Sequence, residues 1–184
     1  MSLTVKDLEK LQEQASDYQM ELIDGEIIIM SPSGLEPDEI AVEIARQLGN
    51  WVRPHRLGRV TGSSAGFKLP NAAGDVRAPD CSFIRAVRLR RTTQDFAQLI
   101  PDLAFEVVSK SDSLEKQRQK VRDYLTLGMA VGVVVDPRTQ TLEVYRPNQA
   151  DPTDVLKNGD VFTAPELLPG WEMEISSIWA PEFD

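Results

Sequence analysis

The chain has one cysteine, Cys81, and one histidine, His55, among its 184 residues. A single thiol excludes an internal disulfide and any cysteine-rich zinc site. A single imidazole excludes sites built on several histidines and weakens every mechanism that needs a histidine base. No apolar run approaches the roughly 20 residues that cross a bilayer. The opening, MSLTVKDLEKLQEQ, has neither the basic start nor the apolar core of a secretory signal. The expectation is a cytoplasmic protein without a membrane partner. Aromatic residues are sparse at 7%, yet 41% hydrophobic and 27% charged is the balance of an ordinary folded chain, so residues 1–184 are read as one domain.

Net charge is −9, which by itself argues against nucleic acid, but the charge is unevenly spread. Residues 1–43 carry 2 basic and 11 acidic side chains, residues 44–122 carry 15 and 7, and residues 123–184 carry 3 and 11. The middle third is therefore basic by 8, between flanks acidic by 9 and 8. That asymmetry points to one basic surface for an anionic partner. Its densest cluster is Arg85, Arg88, Arg90 and Arg91, read either as phosphate contacts or as an ordinary solvated face.

Residues 101–124, PDLAFEVVSKSDSLEKQRQKVRDY, organise the rest. Leu103 to Val108 has the length and composition of a buried strand, and it contains one acid, Glu106. A buried carboxylate needs a partner, because desolvating an unpaired ion is costly. A helical pattern follows from about Leu114 to Leu127, with Leu114, Val121, Tyr124, Leu125 and Gly128 on its inner stripe and Lys120 at the edge. From Glu106 to the strand end is about 10 Å, and from Ser113 to Lys120 is again about 10 Å of helix. A helix folding back over the sheet thus returns Lys120 to the level of Glu106, where its ammonium can reach the carboxylate. The plain alternative is a salt-bridged glutamate and a lysine snorkelling to water.

Elsewhere, Thr4 and Asp7 suit the start of a first helix, and Asp24-Gly25 is a strong hairpin signal between Tyr18–Ile23 and Glu26–Met30. A second helix runs from about Pro37 to Val52, with Ile40, Ile44 and Leu48 inward and Glu36 at its head, where a carboxylate favours the macrodipole or joins a site. Short strands are read at 58–62, 66–69 and 81–84; Pro79 fixes the backbone before Asp80, at the start of the third. Val131–Val135 is a strand buried on both faces. Thr141–Tyr145 is half exposed, short strands follow near Asp154, Val161 and Trp171, and a final short helix lies near Ile178.

Asp80, Glu106 and Lys120, with Glu36 and Tyr124, form the candidate catalytic set. Two carboxylates on neighbouring strands repel, by up to about 4 kcal/mol at close range. A hard divalent cation held by Asp80 and Glu106 removes the conflict, and Mg²⁺ suits oxygen ligands. Such an ion activates water and stabilises charge on a phosphodiester, while Lys120 orients that water or neutralises the phosphate.

Several segments carry a resemblance: YQMELIDGEIIIMSPSG at 18–34, GFKLP at 66–70, APD at 78–80, PDLAFEVVSKSDSL at 101–114, KVRDY at 120–124 and GVVVDPRTQTLEVYRP at 132–147. Together they resemble the Uma-two family of restriction endonucleases, in the PD-(D/E)XK nuclease superfamily. The resemblance implies an α/β, restriction-endonuclease-like fold, a mixed sheet flanked by helices, and a Mg²⁺-dependent site for which Mn²⁺ can substitute. It implies DNA as the partner and a homodimer as the working form. Asp80, Glu106 and Glu36 match the family's acids. The superfamily lysine, expected two residues after the glutamate where this chain has Val108, is matched by Lys120 on the next helix, with Tyr124 one turn on. Pro37 and Lys110 depart from the family pattern. The competing expectation is a catalytically silent nuclease-fold protein that binds nucleic acid or a protein partner.

Overall fold

The computed structural model describes residues 2–183. Its elements run α1 (Val5–Gln14), β1 (Gln19–Ile23), β2 (Glu26–Met30), α2 (Leu35–Val52), β3 (Gly58–Gly62), β4 (Phe67–Lys68), β5 (Val76–Arg77), β6 (Cys81–Arg85), β7 (Leu103–Val107), α3 (Leu114–Thr126), β8 (Val131–Asp136), β9 (Thr141–Tyr145), β10 (Asp154–Lys157), β11 (Val161–Thr163) and β12 (Glu172–Glu174), then a 3₁₀ turn at Ile175–Ser177. The fold class is the α/β arrangement expected, a mixed sheet flanked by helices.

Six strands form the main sheet in the order β10-β9-β8-β7-β6-β3, antiparallel except for the central pair β7 and β8. Those two are buried along their whole length, which is why their sequences are nearly continuous apolar runs. α3 makes the crossover between them. Its Val121 lies against Gly132, where an added Cβ would sit 2.4 Å from Val121 Cγ1, so only glycine lets helix and strand approach this closely. α2 covers the opposite face with Ile40, Ile44 and Leu48, all fully buried on Phe83, Phe105 and Val133.

A second sheet, β2-β1-β5-β4, stands beside the first, with Leu8 of α1 packed on Met20, Leu22 and Val76. α1 starts as its sequence suggests: the backbone N–H and hydroxyl of Thr4 donate to the Asp7 carboxylate at 2.8 and 2.6 Å. Asp24 and Gly25 have φ of 49° and 77°, the left-handed pair that a two-residue hairpin turn requires. β5 has no counterpart in the sequence reading, since two residues are too short to show a period. β11 and β12 pair as a small third sheet.

Candidate active site

Asp80 and Glu106 meet because β6 and β7 are antiparallel with Cys81 opposite Phe105. Continuing that register by one residue sets Asp80 across from Glu106 on the face that α3 covers. Pro79 turns the chain into β6, and Asp80 Oδ2 accepts the Val107 N–H at 2.7 Å. From α3, Lys120 Nζ donates to Glu106 Oε2 at 3.0 Å, closing the strand-and-helix return. The other oxygen, Glu106 Oε1, is buried with no hydrogen-bond partner among the described residues, and the Tyr124 hydroxyl is in the same condition.

A third acid, absent from the sequence-derived set, completes the cluster. Glu21 of β1 is 3% exposed. Its Oε1 accepts the Ala78 N–H at 2.7 Å and lies 3.6 Å from Lys120 Nζ, and its Oε2 lies 3.9 Å from Arg77 Nη1. Lys120 therefore sits between Glu106 and Glu21, and the small sheet contributes to the site through β1 and β5. The signal was present in the sequence. Met20 and Leu22 face the α1 side, so the residue between them faces the other way, and an acid there needs the same partnership as Glu106.

Burial dominates the electrostatics. It pushes the Glu106 carboxyl up to about 8, reinforced by repulsion from Asp80 and Glu21 and opposed by the attraction of Lys120. Asp80 is also raised by burial, against the pull of the Val107 N–H and Lys120. Burial works against charge on Lys120, but Glu106 and the other acids hold its proton on well above the ordinary range. The Tyr124 hydroxyl is kept neutral by burial. Three acids against Lys120 and Arg77 leave a site that, when fully ionised, is one positive charge short of neutral.

Chemically, that deficit and the bare Glu106 oxygen suit a divalent cation. Among the described residues no three His, Cys, Asp or Glu side chains are grouped so as to enclose an ion. Mg²⁺ does not need such a cage, because it is commonly held by one or two carboxylates and completes its shell with water and phosphate oxygens. Asp80, alone of the cluster, also lines an open cavity of about 290 Å³ between α2 and the turn at 62–65, which Glu106, Glu21 and Lys120 do not reach.

The remaining sequence candidates lie elsewhere. Glu36 is exposed in the first turn of α2, without a hydrogen bond or ion pair to the cluster; Asp38, two residues on and also exposed, lines the cavity with Asp80. Arg85 and Arg88 both bind buried Asp102, at 2.7 and 3.1 Å, at the other end of β6. Arg90 and Arg91 are exposed in the turn that follows. A second cavity, about 780 Å³, takes Glu9, Glu13 and Asp95 alongside Arg59, whose guanidinium is spent on the carbonyls of Leu89 and Arg90. That lining repels phosphate.

The family model Uma2, described as "Putative restriction endonuclease", matches residues 5–176. Among solved structures, a 1.96 Å crystal structure from Anabaena variabilis, described as a "putative nuclease belonging to DUF820", superposes with TM-score 0.74 at 23% identity, covering 86% of this chain and 88% of that one. That likeness shows the fold. A cryo-EM structure of a DrdV–DNA complex matches 67% of this chain and 12% of its own, at 13% identity and TM-score 0.36, a likeness that fixes neither fold nor function. A search of curated proteins finds no match.

Proposed function

The chain belongs to the Uma2 family, and on that premise we propose that it is a Mg²⁺-dependent endonuclease hydrolysing DNA phosphodiester bonds at the Asp80–Glu106–Lys120 cluster. The observation that carries this reading is the Glu106 side chain. It is 1% exposed, binds Lys120 through one oxygen and nothing through the other, and faces a second carboxylate across the strand pair. A carboxylate buried for structure alone would have both oxygens satisfied.

Asp80 and Glu106 would hold the ion, with Mn²⁺ able to replace Mg²⁺ on the same oxygen ligands. A bound ion would supply an activated water and stabilise negative charge on the phosphoryl oxygens. The protein's own groups do the rest. The Val107 N–H fixes Asp80 at the cavity wall. Glu106 and Glu21 hold the Lys120 ammonium beside the carboxylate pair, where it stabilises charge developing on a phosphate or orients water through a remaining proton. Tyr124, one turn further along α3, keeps solvent from the buried side of the ion pair.

The test compares wild type with Asp80→Ala and Glu106→Ala on supercoiled plasmid, with Mg²⁺ or Mn²⁺ and with chelator. Metal-dependent nicking that falls at least about 100-fold in both variants supports the reading. Unchanged product in both variants removes it. Salt-dependent DNA binding with no product under any ion would instead favour a protein that binds without cutting.

A further inference from the structure

β2 is the outermost strand of the small sheet, and no strand among the described residues pairs with its outer side. Ile28, Ile29 and Met30 are 38%, 57% and 39% exposed. Free edges of natural sheets are usually guarded by a lysine, a proline, a bulge or a covering loop. Between Glu26 and Pro32 the strand has no lysine or proline, and its register with β1 is unbroken by a bulge.

The hairpin settles which groups the edge offers. Ile23 and Glu26 flank the two-residue turn as a hydrogen-bonded pair, so Glu26, Ile28 and Met30 direct their backbone groups toward β1. Ile27 and Ile29 direct theirs outward, where they have no backbone partner among the described residues. A row of outward donors and acceptors flanked by apolar side chains is completed by another extended strand.

We propose that this edge pairs with β2 of a second copy of this chain, antiparallel, about a two-fold axis through Ile28. The chemistry of the strand favours itself as the occupant. About that axis Ile27 faces the partner's Ile29, so the outward groups of both copies meet as hydrogen-bonded pairs. Ile28 faces its own counterpart as the closer, non-hydrogen-bonded pair. Glu26 falls opposite the partner's Met30, so no like charges oppose each other, whereas parallel pairing would set the two Glu26 side by side. The turn at Asp24-Gly25 and the end of β2 at Met30, before Pro32, bound both strands equally, so they match end to end.

The axis of such a pair is perpendicular to the sheet, and both copies keep the same face toward the same side. Glu21 lies opposite Ile28, so the two Glu21 residues fall in one row, about 14 Å apart across three strand spacings. If the nuclease reading of the site holds, two centres then face one duplex from one side, as cutting both strands requires. The pairing itself does not depend on that reading.

Sedimentation velocity of the full chain across micromolar concentrations tests it. Wild type should be dimeric. Ile29→Lys should weaken the dimer about 100-fold, with an unchanged far-UV CD spectrum because the site is exposed. Added salt should tighten association, since each copy carries a net charge of −9. Opposite non-hydrogen-bonded positions lie about 4.5 Å apart at Cα, within disulfide range, so Ile28→Cys should cross-link on oxidation; Cys81, fully buried, cannot supply the bond. A wild type that stays monomeric throughout, or a dimer that survives Ile29→Lys and does not cross-link through Ile28→Cys, overturns the proposal whatever the cleavage assay shows.

Discussion

Two buried acids sit at opposite ends of the same pair of strands, and they are treated differently. Asp102, just before β7, is 1% exposed and saturated. Its carboxylate takes the Arg85 N–H at 2.9 Å, Arg85 Nε at 2.7 Å and Arg88 Nη1 at 3.1 Å, while its own N–H donates to the Phe83 carbonyl. Glu106, about 13 Å further along the strand, is equally buried but holds one cation and leaves an oxygen bare. Both are acids paired with cations, so burial and pairing alone do not mark a working site. What separates the two is the unpartnered Glu106 oxygen: a structural acid is closed by donors, and on the proposed reading one that holds an ion keeps an oxygen free for it.

The largest test of that contrast is to neutralise each acid without changing its shape. Glu106→Gln should lower metal-dependent cleavage about 1000-fold while leaving the metal-free protein as stable as wild type or more so at pH 8. Asp102→Asn should do the reverse. Arg85 and Arg88 are left facing a neutral amide, costing about 2–3 kcal/mol after allowance for their partial exposure. Melting should fall by about 5–10 °C, with cleavage per folded molecule retained. If both substitutions acted alike on stability, the distinction between the two ends would be lost.

A smaller effect follows from proton linkage. The folded chain keeps a proton on Glu106 up to about 8, where an unfolded chain has lost it above the ordinary glutamate value of 4.5. Stability should therefore fall as pH rises through that window, by about 1.4 kcal/mol per pH unit at most for this group. Asp80 is raised too and adds in the same direction. The lowered acids, such as Glu143 held by Arg118, contribute only below the window, and Lys120 only above it. Denaturation curves at pH 6 and 8 should show the loss in wild type and most of it gone in Glu106→Gln. Mg²⁺ binding to wild type at pH 7 should release protons, read from titration calorimetry in two buffers of different ionisation enthalpy.

Much of this was legible in the sequence where a single period carried it. The apolar run at 103–108, the helix after Ser113 and the arithmetic of rise per residue together bring Lys120 to Glu106. The capping pair Thr4 and Asp7 and the turn at Asp24-Gly25 are local chemistry, so they too were readable. What was missed depends on non-local pairing. Glu21 reaches the site only because β1 pairs with the two-residue β5, which shows no period. Asp38 lines the cavity where Glu36 does not, although both are exposed, because two residues of helix turn the side chain by about 200°. Arg85 and Arg88 look like a phosphate patch until Asp102, 14 and more residues on in sequence, is placed beside them.

That last pairing leads to the finest test. Arg90 and Arg91 are exposed and outside the Asp102 clamp, so they remain available to phosphates, whereas Arg85 and Arg88 are held. From Asp80 to Arg85 is about 16 Å of strand, the rise of roughly five base pairs at 3.4 Å per step. On the proposed nuclease reading, a duplex with one phosphate at Asp80 would extend toward the arginine turn. Each phosphate contact removed should flatten the dependence of log binding constant on log salt by about 0.9. Arg90→Ala and Arg91→Ala should do so without moving the melting temperature, and Arg85→Ala should lower the melting temperature without changing the slope. A flatter slope from Arg85→Ala alone would mean that the clamp at Asp102 opens to DNA, and that end of the strands would then be as unfinished as the end at Glu106.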